Sequence, residues 1–437
     1  MKTMKYFSTN NKRYRVSLKE AVVQGLAPDN GLFMPETIPG LPPAFFKTMS
    51  EKTFPEIAMD VAFNLIGNDV PQPELRRIID HTIAFDAPLV EIEKDVFALE
   101  LFHGPTLAFK DFGARFMSQL LGYFASQEKK QITILVATSG DTGSAVANGF
   151  LGVEGIRVVV LYPSGKVSDI QEKQFTTLGQ NITALEVDGT FDDCQRLVKQ
   201  AFMDADLKKA LFLTSANSIN IGRLIPQSFY YFYAFSRLPD RSRPVAFSVP
   251  SGNFGNLTGG VLAHRMGLPV KNFIAATNTN DVVPLYLRSR SFQPRPSTQT
   301  ISNAMDVGNP SNFARLLDLY ANDHEQMSRE IVGYSFTDEE TSGAMQRVFR
   351  ATGYVLDPHG AVGYLGLKKY QSTYGKEFSG IFLETAHPAK FKEVVEPIID
   401  KVVELPPALQ RFIKGKKQTI AISAEYPELK DYLTTLK

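Results

Sequence analysis

The sequence predicts an α/β protein with parallel strands, preceded by a separate N-terminal piece. Two observations carry this expectation. From about residue 88, short apolar runs of strand length alternate with helical patterns and polar loops, which is the signature of parallel βαβ organisation. Residues 1–85 lack that alternation and read as a unit of their own. Length agrees with the division, because 437 residues exceed what one ordinary core holds, so two or three domains are expected.

In the N-terminal piece, residues 14–18 read as a short strand. Ser17, with Glu20 three positions on, makes a capping box for a helix through 20–24. The stretch GLAPDNG, residues 25–31, is a turn in which Asn30 and Gly31 tolerate positive φ. The proline-rich residues 35–43 form a surface connection, and helical patterns follow near 54–66 and 73–83. Beyond 88, residues 96–101 alternate as a strand and lead into the segment around Lys110. Phe112, Phe116, Leu120 and Phe124, four apart, make 111–125 a helix. Further strands are expected at 132–137, 156–162, 182–187, 211–215, 245–249, 270–276 and 380–385. Between them lie helices at 144–150, 171–178, 194–202 (capped by Thr190 with Asp193) and 229–235, then one running to 266. A helix at 338–351 and another running to 370 follow. Residues 238–244 read as a crossover between domains. Residues 286–312 are irregular and polar, either a lid or a surface loop.

Composition excludes several classes. Hydrophobic content of 43% and charged content of 21% are ordinary for a soluble globular chain. A net charge of +1 gives no basic field for nucleic acid. No run of about 18 apolar residues occurs, so no membrane span is expected. Residues 1–15 hold charges but no apolar core for a signal peptide. Cys194 is the only cysteine, which fits a reducing, cytoplasmic location. Neither H-E-x-x-H nor paired cysteines occur, so no metal site is expected. His103, His359 and His387 lie beside Gly or Pro and read as local structural residues, while His81 and His264 read as surface or packing residues.

Three stretches carry chemistry. Lys110 follows a Gly104-Pro105 bend and sits beside Phe109 and Phe112. An ammonium in apolar surroundings loses solvation, so its pKa falls toward neutrality, and it can then form a Schiff base with a carbonyl cofactor. The alternative is that Lys110 pairs with Asp111 or another acid at a helix start. The loop SGNFGN, residues 251–256, lies between a strand and a helix, where backbone N–H groups make a phosphate cradle; a tight turn without ligand is the other reading. The loop TSGDTG, residues 138–143, is a second cradle that suits a small carboxylate. Within it Asp141 either faces a hydroxyl or cation, or favours the following helix dipole. No Walker sequence and no dinucleotide fingerprint is present, which disfavours a nucleotide triphosphatase or a dehydrogenase. In open α/β sheets ligands bind beyond the carboxyl ends of strands, and three such ends carry distinctive polar loops: 138–143, 251–256 and Glu384-Thr385. A phosphate cradle, a carboxylate cradle and an imine-forming amine together describe a pyridoxal phosphate site acting on an amino acid.

The ordered blocks HGPTLAFKDF, TSGDTG, LYPSGKVSDIQEKQ, NSINIGR, PSGNFGN, MDVGNPSNF and ETAHP resemble those of the threonine synthase family, pyridoxal-phosphate enzymes of the tryptophan-synthase-β-like fold, fold type II. GLAPDNGLFMP is similar to that family's N-terminal domain, with Asn30 where the family usually has glycine. The resemblance spans nearly the whole chain and is to the longer microbial and fungal branch. It implies two open, mostly parallel sheets with flanking helices plus an N-terminal α+β domain. It divides the chain into an N-terminal domain 1–87, a large pyridoxal-phosphate-binding domain from 88–118 and 241–437, and a small domain 119–240. By resemblance, Lys110 holds the cofactor as a Schiff base and shuttles protons. Gly252, Asn253, Phe254, Gly255 and Asn256 hold the cofactor phosphate. Thr385 meets the pyridine nitrogen, and Asp141 stands where related enzymes have an asparagine facing the 3-hydroxyl. Ser139, Gly140 and Thr142 bind the substrate carboxylate, and Asn220 and Arg223 lie near the substrate phosphate. The implied reaction converts O-phospho-L-homoserine and water to L-threonine and phosphate by γ-elimination and β-addition of water. That makes it a carbon-oxygen lyase at the last step of threonine biosynthesis, working as a monomer or weak homo-oligomer. The alternatives are a serine/threonine dehydratase-like β-eliminating enzyme and a non-catalytic homologue that binds the cofactor.

Overall fold

The computed structural model describes residues 3–128 and 131–436. It is an α/β molecule with three sheets. The strands β1 (Lys5–Ser8), β2 (Arg15–Ser17) and β3 (Phe33–Pro35) form a small antiparallel sheet in the order β2-β1-β3. The capping box between Ser17 and Glu20 is present and starts the helix Leu18–Gln24. The helices Phe54–Ile66 and Gln72–Thr82 complete this α+β region.

The remaining strands are β4 (Leu89–Glu93), β5 (Val96–Glu100), β6 (Ile132–Ala137), β7 (Ile156–Pro163), β8 (Ile182–Asp188) and β9 (Phe212–Ser215). They continue with β10 (Val245–Pro250), β11 (Asn272–Thr277), β12 (Ile331–Ser335), β13 (Ser379–Glu384) and β14 (Ile420–Ser423). Six of them form a sheet in the order β12-β11-β10-β13-β5-β4, parallel except for β4, which runs antiparallel to β5. Five form an all-parallel sheet in the order β14-β8-β7-β6-β9. β6, β10 and β13 are buried at every residue. Helices cover both faces of such sheets, which is why these strands read as continuous apolar runs.

The strands β1, β3, β4, β12 and β14 were not expected from periodicity. Each has three to five residues, too few to show a clear alternation. β14 lies at the rim of the five-stranded sheet, so a C-terminal segment that follows the last strand of the larger sheet pairs with β8 of the smaller one.

The abundant phenylalanine finds its place behind the Lys110 helix, Lys110–Glu128. Phe112 is fully buried, and its ring centroid lies 4.8 Å from Phe85, 5.4 Å from Tyr230 and 5.8 Å from Phe54. The helix Phe229–Ser236, sequence FYYFYAFS, is buried nearly all round. Each large side chain so buried contributes about 2 kcal/mol. This packing fixes the start of the Lys110 helix from the rear while its first residue opens forward. Of the segment 286–312, residues 286–289 end the helix Val282–Ser289 rather than being irregular, and 290–312 are tied down rather than loose. Asn278 and Asn280 hydrogen-bond Thr298, Thr300, Ser302 and Asp306, which places the short turn Asn303–Met305 over the end of β10.

Candidate active site

A cleft of about 1260 Å³ opens at the carboxyl ends of β6, β10 and β13, between the two parallel sheets. Lys110, Ser139, Asp141, Thr142, Arg223, residues 251–256 and Thr385 line it, and residues 26–28 with Asn30 form part of its rim. All three strand ends singled out by their polar loops therefore meet at one place.

Lys110 is the first residue of its helix, and its side chain is 17% exposed. The chain reaches it through the Gly104-Pro105 bend, closed by a 3.0 Å bond from the Leu107 N–H to the Gly104 carbonyl. Phe109 N–H then donates to the Thr385 carbonyl at 2.9 Å, which ties the lysine to the end of β13. Asp111 does not pair with Lys110. Its carboxylate accepts from the Thr106 N–H at 2.8 Å and the Thr106 hydroxyl at 2.7 Å, back inside the bend. Lys110 Nζ instead stands 3.5 Å from Asp141 Oδ2 and 5.0 Å from the Phe109 ring. Burial pulls the ammonium below its ordinary value; Asp141 opposes this, while the Lys390 charge adds to it.

Asp141 starts the helix Asp141–Phe150 and is buried. Burial alone would raise its carboxyl, but Lys390 at 2.6 Å, Lys110, and a 2.9 Å bond from Gln171 Nε2 outweigh that and hold it well below the carboxylate range. Of the two sequence readings, the cation partner applies. In the same loop, Thr138 Oγ1 accepts from the Gly140 N–H at 3.0 Å and the Gly143 N–H at 2.8 Å. Those two donors hold the loop's shape, so what the loop offers a carboxylate is concentrated at residues 139, 141 and 142. Gly140 has φ +142°, and a Cβ there would lie 2.5 Å from Gln171 Oε1, so no side chain fits.

The 251–256 loop is anchored on three sides. Asn253 donates to the Ser218 hydroxyl at 2.7 Å and accepts from the Ser311 N–H at 2.6 Å. Asn256 Oδ1 accepts from the hydroxyls of Tyr230 and Tyr231, at 2.7 and 2.8 Å. Gly252 lies under the 303–305 turn, where a Cβ would come within 2.7 Å of Met305 Cα. Phe254 adopts a left-handed conformation, φ +62°, immediately before the helix Gly255–Arg265. Asn256 Nδ2 is buried without a hydrogen-bond partner.

Thr385 follows β13 and faces the cleft; Glu384, just before it, is fully buried with its carboxyl pushed well up by burial and by Asp357. Arg223 lines the cleft, donates to the Ala216 carbonyl at 2.6 Å, and keeps a buried Nε with no partner. Burial lowers it to about 10. Asn220 is not brought to the cleft. Its amide is spent as the N-cap of the helix Ile221–Leu224, accepting from Gly222 N–H at 2.9 Å and donating to the Val22 carbonyl at 2.8 Å. His359 exceeds its local reading. Nδ1 bonds Asp357 at 2.6 Å, and Nε2 accepts from Ala304 N–H at 3.2 Å, steadying the turn above Gly252. His103 pairs with Glu100, and His387 caps the turn at Pro388–Phe391, both as local contacts.

Residues 82–380 match the family described as pyridoxal-phosphate dependent enzyme, residues 5–83 the family described as threonine synthase N terminus, and residues 360–433 the family described as threonine synthase, C-terminal. The threonine synthase of Escherichia coli (strain K12) is 47% identical over 407 residues, 93% of this chain and 94% of that protein. The chain belongs to the threonine synthase family. The crystal structure of the Escherichia coli threonine synthase superposes with a TM-score of 0.92 at 44% identity, covering 99% of this chain and all of that one. The pyridoxal-phosphate-bound threonine synthase of Brucella melitensis gives 0.93 at 34% identity, with 99% of each chain covered. The expected fold type II architecture is thereby established, and with it dependence on pyridoxal phosphate.

The residues present fit that cofactor. A buried donor without a partner, Asn256 Nδ2, belongs to a cradle side chain that lines the cleft, and it suits an anionic oxygen. Gly252 and the left-handed Phe254 bring backbone to the cradle where larger or extended residues would not fit. Sequence reasoning missed Lys390 and gave Gln171 no role, although both hold Asp141. Gln171 lies inside one of the resembling blocks; Lys390 had no signal beyond its closeness to the ETAHP block.

Proposed function

We propose that this chain converts O-phospho-L-homoserine and water to L-threonine and phosphate. The observation that supports the reading is buried Arg223, a cation that lines the same cleft as residues 251–256 and keeps its Nε without a partner. A dehydratase substrate, lacking a phosphate, has no use for it. Bound pyridoxal phosphate supplies an electron sink for the charge left when carbon loses a proton. Residues 252–256 would hold its phosphate, Asp141 would meet its 3-hydroxyl and Thr385 its ring nitrogen. Glu384 is unsuited to an ionic contact at that nitrogen, because burial keeps its proton on.

Lys110 carries the cofactor at rest. As a free amine, its Nζ would take the proton from the substrate Cα and, after releasing it, a second proton from Cβ. Lowering of the Lys110 pKa by burial favours the neutral amine this requires. Ser139 and Thr142 would hold the substrate carboxylate, while Gly140, whose N–H is taken by Thr138 Oγ1, shapes the loop. Arg223 would hold the phosphate as its bond to Cγ breaks. Cγ then gains one proton to become the methyl group, water adds its hydroxyl at Cβ and gives its other proton to the phosphate, and the second proton returns to Cα. Asn220 serves as the cap that sets the Arg223 helix, and so acts at one remove.

The chain divides as 1–87, 88–118 with 241–437, and 119–240, except that β14 is grouped with the last of these because it pairs with β8. It works in the cytoplasm, a reading supported by a single, buried cysteine, and as a monomer or weak homo-oligomer. Phosphate release is expected with O-phospho-L-homoserine and not with homoserine or serine. Faster turnover of serine would sink the reading.

A further inference from the structure

Two lysines share one carboxylate beneath the cleft. Lys390, in the turn Pro388–Phe391, has a fully buried side chain. Its Nζ lies 2.6 Å from Asp141 Oδ1 and donates to the Thr106 carbonyl at 2.8 Å. Gln171 Nε2 takes the same Oδ1 at 2.9 Å. Lys110 Nζ reaches only Oδ2, at 3.5 Å. The buried lysine therefore holds the closer, better-supported contact, and the cleft-facing lysine holds the longer one.

The consequence falls on Lys110. A carboxylate facing Lys110 alone would hold it as an ammonium. The charged groups around it are Asp141 from the helix Asp141–Phe150, Lys390 from the 388–391 turn and Arg223 from the helix Ile221–Leu224. Asp111, the next residue, is turned away onto Thr106, and burial favours its neutral form. Two cations and one ionised carboxylate leave a surplus positive charge next to the reactive amine.

We propose that Lys390 is a positioning residue that takes Asp141 as its own counter-ion, so that Lys110 meets its carbonyl partner and the substrate as a free amine. The inference rests on Lys110 being the cofactor lysine. The same field acts when Lys110 has condensed with the cofactor aldehyde, with loss of water, because the linked nitrogen is still a protonation site.

The test is the absorbance of the bound cofactor against pH in the holoenzyme. Removing the cation in Lys390→Met is expected to raise the pH midpoint of the absorbance change by about one unit or more. Lys390→Arg is expected to return it to the wild-type value. A merely structural lysine would lower the urea midpoint and leave the pH midpoint in place. An unmoved pH midpoint in Lys390→Met overturns the proposal. So does a wild-type band that stays in its protonated form between about pH 6 and pH 10, across which a free lysine remains charged. If Lys390→Met does not fold, Lys390→Gln, which keeps a donor, carries the same test. Borohydride reduction and peptide mapping separate the two readings. Cofactor trapped at another lysine overturns the site assignment and this inference together; cofactor on Lys110 with an unmoved midpoint overturns this inference alone.

Discussion

The ends of β6 and β13 each bring a buried carboxyl to the same part of the molecule, Asp141 from one and Glu384 from the other. Asp141 is met by Lys390, Gln171 and Lys110 and is held ionised. Glu384 is met by the Asp357 N–H at 3.5 Å and keeps an oxygen with no partner at all. Burial and the acidic Asp357 and Glu100 push its carboxyl well up, which favours the protonated form. Burial is nearly the same at the two sites, and the partners differ: two lysines and the Gln171 amide at Asp141, one long backbone N–H contact at Glu384. The contrast shows that burial sets the cost of a charge, while neighbours decide whether the charge is kept. It also fits the cleft's chemistry, with the ionised acid next to the reactive lysine and the neutral one next to Thr385.

The largest effect is expected where the kept charge is removed. Asp141→Asn leaves Lys390 buried without a counter-ion, and loss of one partner of a buried pair costs about 3 kcal/mol. Urea unfolding at neutral pH measures this. The sign with pH follows from a depressed folded pKa. Above about pH 4, where an unfolded aspartate is ionised, the stabilisation is fully present. As pH falls toward the lower folded value, the unfolded chain takes up the proton first and the stabilisation is lost. Wild type and Asp141→Asn should therefore converge in acid. A gap between them that stays constant down to pH 3 would break the comparison.

The cradle at the end of β10 has no carboxyl and sharpens the comparison as an uncharged third case. In Gly252→Ala the new Cβ must push against Met305 Cα at 2.7 Å and the Ala304 carbonyl oxygen at 3.0 Å. Backbone cannot give way as a flexible side chain does, so the cradle and the 303–305 turn separate. The expected result is about tenfold weaker binding of pyridoxal phosphate, near 1.4 kcal/mol, with activity restored at high cofactor concentration. Fluorescence titration of the cofactor reads it, and the pH dependence of stability should match wild type.

How far these regions can be read from sequence follows the same division. The cradles announce themselves because glycines between a strand and a helix are local, and so is the Gly104-Pro105 bend before Lys110. The partners of Asp141 do not, because Lys390 reaches it only after β13 has entered the six-stranded sheet and the 388–391 turn has folded back over Thr106. Asn220 shows the opposite case. The resemblance points it to the substrate phosphate, although an asparagine just before a short helix is also an N-cap, and that is where its amide is used. The edge strand β14 was missed for a third reason. Three of its four residues are not buried, so packing leaves no apolar pattern to read.

The smallest effect is expected at Glu384, and its sign should oppose that at Asp141. A raised folded pKa means that the folded chain keeps a proton which the unfolded chain gives up above about pH 4.3. Over that range the unfolded state binds fewer protons, so stability declines as pH rises. Glu384→Gln has nearly the same shape, is neutral at every pH, and supplies donors where Glu384 can supply only its one proton. It should stabilise the protein by on the order of 1 kcal/mol near pH 7.5 and lose that advantage below pH about 4. Thermal unfolding across that pH range is sufficient to see it. Destabilisation at pH 7.5 would mean that Glu384 is ionised in the folded protein, and that some cation reaches the end of β13 as Lys390 reaches the end of β6. The two carboxyls would then obey one rule with one outcome, and Thr385 would lie beside a charge rather than a neutral acid.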